Sequence, residues 1–400
     1  MQIIFNHSYL NSRKSIFLSF LFSKLLILPF LYIVISFLDN RPHSIFLIGD
    51  LTRYELTHNI VNIFNLENFQ DFKNNGVSNV GYMVLIFIIK SFTNSENIKL
   101  FFYSLTSLIT ISYSQSIILD LIFTQNNIVN IKIKTFSFIF SLINFYVLIY
   151  SFKPSSDVFG CLGIAILIEA LIKSENHQIK NKYFINWIFI FLCLCLFRNN
   201  LILVLPFLCF TKLFNRIKCS IKESSISIRF SALSMLSLLL ILNFAQFIGA
   251  TYPFMQEQLK WGIASLGANN SNYFSLAYVK DLFVFLSKKI IFLLSAREAV
   301  GMTGDWLIST DQKINVTSFP IIANMGSALI LFSINTLGMI SIFRFFSKIF
   351  LKSFLFSLIP LIPLLSYASH HRYFLPYAII TSAALPFLFF KSNDLNPLKR

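Results

Sequence analysis

Long apolar runs recur along the whole of this 400-residue chain, and the charged residues fall into the gaps between them in alternation. Twelve of the seventeen Asp and Glu lie in every second gap, whereas the intervening gaps are filled with Lys and Arg. A helix needs roughly 17 to 25 apolar residues to cross about 30 Å of hydrocarbon. A chain that repeats such runs and sorts its charges by gap has the signature of a membrane topology, with its carboxylates gathered on one face.

Composition removes the competing classes. At 56% hydrophobic and 12% charged residues, with a mean hydropathy of +0.69, the chain lacks the polar surface of a water-soluble globule. The net charge of +16 would suit nucleic acid, but the basic residues sit in short loops beside apolar runs, where they orient spans toward a cytoplasmic face. The 48 Phe reflect a biased composition and carry no argument. Cys161, Cys193, Cys195 and Cys209 fall within expected spans and Cys219 in a basic loop, which gives neither a disulfide framework nor a metal site. The first run, 16–38, is too long for a cleavable signal and reads as a retained span.

Runs of spanning length occur near 16–38, 100–122, 135–152, 230–250, 317–343, 353–369 and 373–390, and shorter ones near 158–172, 183–197 and 200–211. These predict an all-α fold: a single polytopic transmembrane bundle over 1–400 with about ten spans. The apolar stretch after Asn79 ends at Lys90, too soon to cross, and is expected to be an interfacial helix over 79–92. With the N-terminus in the cytoplasm, the inner segments carry eighteen cations against three acids and the outer ones fourteen against twelve, as the positive-inside rule requires. The outer face then holds a first long loop, 39–99, with interfacial helices, a second, 251–316, and short turns near 153–157, 198–200 and 370–372. Both termini are expected in the cytoplasm.

Four outer positions could carry chemistry. Asp50 follows Gly49 and precedes an amphipathic segment whose Tyr54, Ile60, Val61 and Phe64 share one face. It is either a helix cap or a carboxylate at the mouth of an intramembrane cavity, able to take a proton from an attacking hydroxyl; Glu55 and His58 are weaker choices. Asp157 ends the turn Lys153-Pro154-Ser155-Ser156, in the first turn of a helix where the dipole favours its charge, and either caps that helix or orients substrate. Arg198 stands inside a hydrophobic hairpin, where a cation costs at least ~2.5 kcal/mol unless it meets a protein carboxylate or a substrate phosphate. His370, His371, Arg372 and Tyr373 crowd the last turn: Arg372 has the fork geometry for phosphate, and the group could also anchor the membrane interface or, less readily, ligate a metal. The aromatic, glycine-hinged segment 297–306 suits a lid, and Asn269 and Asn315 begin acceptor sequons.

The order and sidedness of Gly49-Asp50, Lys153-Pro-Ser-Ser-Asp157, Arg198-Asn-Asn200 and His371-Arg372-Tyr373-Phe-Leu-Pro376 resemble the GT-C superfamily of membrane glycosyltransferases. The resemblance implies transfer of a sugar from a polyprenyl-phosphate carrier to a glycan, lipid or protein acceptor outside a bacterial cytoplasmic membrane. It implies inversion at the anomeric carbon, with Asp50 as base, Asp157 as second acid, and Arg198 and Arg372 at the phosphate. Many relatives carry a second acid where this chain has Leu51, which leaves a divalent cation as an open cofactor. A polysaccharide polymerase or ligase is the alternative from the same biology. A transporter or flippase would place its ionisable residues near the midplane and repeat its halves, whereas Lys24 and Glu169 are the sole mid-span charges expected here.

Overall fold

A computed structural model describes residues 12–38, 79–176, 181–208, 319–361 and 374–390, with isolated positions at 10, 210–213, 215, 290 and 294. Among the described residues the fold is helical and contains no strand. The helices are α1 (Arg13–Leu38), α2 (Val80–Phe92), α3 (Glu96–Gln125), α4 (Ile131–Ile143), α5 (Phe145–Phe152), α6 (Asp157–Glu175) and α7 (Asn181–Phe197). A 3₁₀ turn, Asn199–Val204, leads into the short α8 (Leu205–Leu208). Then come α9 (Phe319–Phe345), α10 (Lys348–Ser357) and α11 (Leu375–Ala384), which ends in a second 3₁₀ turn, Leu385–Leu388.

Polar residues at the run boundaries start the helices as capping chemistry predicts. Ser12 Oγ accepts from the Ser15 N–H at 3.2 Å while the Ser12 N–H reaches Ser15 Oγ at 3.3 Å, a reciprocal cap for α1. Asn130, Asn144 and Ser347 accept from Lys132, Val147 and Phe350 N–H in the same way. Asn144 also breaks the run expected over 135–152: α4 and α5 meet there at a bend of 59°. Its amide donates to Ser382 Oγ of α11 at 2.6 Å.

Helix α6 lies at the centre, packed against α3, α7, α10 and α11, with every residue buried except Leu162, Lys173 and Glu175. A helix apolar on all sides must be surrounded by other helices or by lipid. Buried polar side chains tie neighbours together: Gln115 donates to the Ser141 carbonyl at 2.7 Å, Thr381 to Asn335 Oδ1 at 2.8 Å, Ser341 to the Ala384 carbonyl at 2.6 Å, and the fully buried Lys24 to Ser112 Oγ at 3.2 Å. Gly338 lets α9 and α11 approach until a Cβ there would lie 2.3 Å from the Thr381 carbonyl oxygen.

One end of the bundle is clamped by charge. Arg13 forks between two helices, donating to both oxygens of Glu169 at 2.6 and 3.1 Å and to Asp120 Oδ2 at 2.9 and 3.1 Å. Lys173 donates to Glu169 as well. Glu175 sits 2.8 Å from Lys212 and 3.0 Å from Lys352, and the hydrogen bond from Lys212 is the main reason its carboxyl is held below the usual range. Glu169, expected as one of the few mid-span ionisable residues, is the buried member of a paired network.

The outward surface is strongly apolar, with Phe22, Leu26, Phe30, Phe92 and Phe101 at 60% exposure or more. Helix α2 buries Tyr82, Met83, Ile86 and Ile89 and exposes Val84, Phe87, Ile88 and Phe92, so neither face suits water. By length and composition one described helix, Asn97–Gln125, could cross a membrane, or two spans if the bent α4–α5 pair is counted as one.

Two stability outcomes follow from this packing. Gly338→Ala overpacks the α9–α11 crossing and should lower stability by about 1–3 kcal/mol, read as a reduced melting temperature of the solubilised chain. Glu169→Gln leaves Arg13 and Lys173 without their buried counter-charge and should lower stability by ~3 kcal/mol, with a double-mutant cycle against Arg13→Gln showing strong coupling.

Candidate functional site

The end of α6 opposite the Arg13 clamp is built from turns that sequence patterning alone would leave at the surface. Pro154 stops α5, and the backbone then runs through Lys153, Ser155, Ser156 and Asp157, all less than 5% exposed. A turn this buried must satisfy its polar atoms internally. Ser155 Oγ accepts from the Asp157 N–H at 3.2 Å and donates to Asp157 Oδ2 at 2.8 Å, so it is Ser155 that holds the start of α6. Ser156, the other capping candidate, accepts instead from Asn79 Nδ2 at 3.1 Å. Asn79 Oδ1 in turn accepts from the Asn199 N–H at 3.3 Å. Asn79, 5% exposed, therefore joins three separate stretches of chain. Sequence reasoning did not single it out; its signal was a lone amide directly before an apolar run.

Helix α7 ends at Phe197, and Arg198 adopts an extended backbone before the 3₁₀ turn begins. That conformation brings Arg198 Nη2 to 2.6 Å from Asp157 Oδ1, with the two side chains 14% and 2% exposed. The anion demanded by the Arg198 cation is thus met by a protein carboxylate. Two glycines on α6 make the approach possible: a Cβ at Gly160 would touch Arg198 Cγ at 3.4 Å, and one at Gly163 would collide with Leu201 at 2.3 Å.

A narrow cleft with room for about one water-sized group opens beside this pair, lined among others by Asp157, Arg198, Asn200, Leu201, Pro376 and Tyr377. Three of the four sequence positions that carry the family resemblance therefore contribute to one place, the last through Pro376 and the adjoining Tyr377. The Tyr377 hydroxyl donates to the Ser357 carbonyl, which leaves its ring as an apolar wall. Asn200 donates through Nδ2 to the Pro360 carbonyl at 3.5 Å, and its Oδ1 is buried with no hydrogen-bond partner. Asp50, His370, His371, Arg372 and Tyr373 lie outside the described residues.

Electrostatically, the cleft holds a mutually neutralised pair. Lys153 is close enough to feel it and lies over the Tyr150 ring at 5.3 Å. Burial pushes its ammonium down to about 7, and the attraction of Asp157 opposes that shift only in part. Among the described residues no three His, Cys, Asp or Glu side chains come together. Among the described residues lining the cleft the carboxylate is Asp157, and it is paired with Arg198.

The Lys153 shift fixes a pH dependence. Between about 7 and the ordinary lysine value of 10.5 the unfolded chain binds a proton that the folded chain has shed, so folded stability rises with pH across that window. Lys153→Met removes the buried ammonium. It should melt above wild type below pH 7, with an advantage that shrinks steadily toward pH 10.5, as paired thermal scans would record.

No family model, no curated protein and no solved structure matches this chain.

Proposed function

We propose that the chain is a polytopic membrane protein of about ten spans and a glycosyltransferase, which moves a sugar from a polyprenyl-phosphate carrier to an acceptor on the face that bears Asp50, Asp157, Arg198 and Arg372. The observation that carries this reading is the cleft in which Asp157, Arg198, Asn200 and Tyr377 meet, drawn from three separate stretches of chain. Sidedness has independent support. Asp157 and Glu175 are the two ends of α6, about 27 Å apart at 1.5 Å per residue, close to the thickness of a hydrocarbon core. Cations of the expected inner loops, Arg13, Lys173, Lys212 and Lys352, gather at the Glu175 end, and the expected outer residues Lys153, Asp157 and Arg198 at the other. The exposed Phe and Leu side chains supply the surface that acyl chains would cover.

In the proposed reaction the acceptor hydroxyl oxygen forms a bond to the anomeric carbon as the bond from that carbon to the carrier phosphate oxygen breaks. The proton passes to the Asp50 carboxylate, and the electron pair leaves with the phosphate. Back-side displacement inverts the anomeric configuration. Because Asp157 already neutralises Arg198, the developing phosphate charge is assigned chiefly to Arg372, with His370, His371 and Tyr373 beside it as further donors. The Asp157–Arg198 pair positions the wall of the cleft. No step is routed through a metal.

The test is turnover of polyprenyl-phosphate sugars by the purified full chain. Asp50→Asn should keep the wild-type melting temperature and lose about 10²- to 10⁴-fold in rate, the usual contribution of a positioned base. Arg372→Ala should lose activity toward the lipid-linked donor with folding retained. Full activity in Asp50→Asn, or tags placing Asp50 and Arg372 in opposite compartments, would overturn the proposal.

A further inference from the structure

The Asp157–Arg198 cleft contains an atom that the fold leaves unsatisfied. Asn200 is 8% exposed, and although its Nδ2 is engaged with the Pro360 carbonyl, its Oδ1 is a buried acceptor with nothing donating to it. Buried acceptors are almost always paired, and an orphan in a native structure marks strain or a ligand not present.

The surroundings restrict what could pair with it. Asp157 supplies further lone pairs, Arg198 supplies donors, and the two cancel in charge at 2.6 Å. Leu201, Pro376 and the Tyr377 ring form apolar walls. An anion such as phosphate would meet two acceptors, Asn200 Oδ1 and the Asp157 carboxylate, and a guanidinium whose charge Asp157 already balances. A neutral group that donates from a hydroxyl and also accepts, set on a partly apolar ring, satisfies every side of the cleft. The space has room for about one water-sized group, so it takes a single hydroxyl of a ligand and not the ring that carries it.

The geometry points to a hydroxyl-reading subsite: we propose that Asn200 Oδ1, backed by the neutral Asp157–Arg198 pair, accepts a hydrogen bond from a hydroxyl of a pyranose, making Asn200 a specificity-determining residue. This deepens the glycosyltransferase reading by assigning the cleft to sugar rather than to phosphate, but as a binding claim it is testable apart from turnover. A site built to hydrogen-bond a hydroxyl discriminates strongly against analogues that lack it, because the site's own polar atom is then left unpaired.

The experiment is saturation-transfer NMR on the full chain in nanodiscs, with a panel of methyl pyranosides as probes and inorganic phosphate as competitor. At least one pyranoside should receive saturation, survive millimolar phosphate, and lose the effect at least fivefold in Asn200→Leu. Asn200→Gln, which keeps a neutral amide with both its donor and its acceptor, should retain more of the effect than Asn200→Leu. Asn200→Leu also gives up the Nδ2 bond to the Pro360 carbonyl, so its melting temperature is compared with that of Asn200→Gln; loss of the signal in both alike would mark a folding effect and overturn the subsite. Absence of any pyranoside signal from wild type, displacement by phosphate, or an unchanged signal in Asn200→Leu would each overturn the subsite. A chain that binds a pyranoside through Asn200 yet transfers no sugar would defeat the enzyme reading and leave this one standing.

Discussion

Asp157 and Arg198 neutralise each other at the junction of two buried turns, and one end of the bundle is organised around that contact. Neither charge could stay in such a place alone, since a buried ion without its partner costs several kcal/mol. The pairing therefore dictates local backbone. It explains why α7 ends in an extended residue rather than running on, and why α6 carries glycine at 160 and 163, where the incoming strip of chain would otherwise meet side chains. Asn79, Ser155 and Ser156 complete the junction by answering the remaining polar atoms.

The opposite end solves the same problem with a larger network. Arg13 spans two carboxylates on different helices, and Lys173, Lys212 and Lys352 close the remaining charges. The middle of the bundle relies mainly on hydroxyls and amides bonded across helices, with the buried Lys24 held on Ser112, and small residues allow close crossings. Charge at both ends and hydrogen bonds between them is the distribution expected of helices that must register against one another without water.

Much of this was legible in the sequence, and the limits have physical causes. The apolar runs located most of the described helices, although α10 covers Lys348–Ser357 where a run was expected over 353–369. The pairing of Arg198 with a carboxylate was foreseeable from the cost of a lone cation, and the shared cleft of three motifs from their common sidedness. The 59° bend was not, because Asn144 caps α5 within a run that reads as continuous, and one amide in an apolar stretch gives no direction. The partner of Glu169 was likewise out of reach, because Arg13 lies 156 residues away in sequence. The role of Asn79 depends on two other turns and has no local pattern at all.

The bend at Asn144 also bears on the order of assembly. Its side-chain carbonyl is satisfied at once by the Val147 N–H, whereas its amide donates to Ser382, some 238 residues further on. During synthesis Asn144 is made 238 residues before Ser382 exists to take that donor. The last helix thus acts as a closing wedge, and a ribosome that stops short of it would release a bundle whose earlier helices have been made but not yet locked in place.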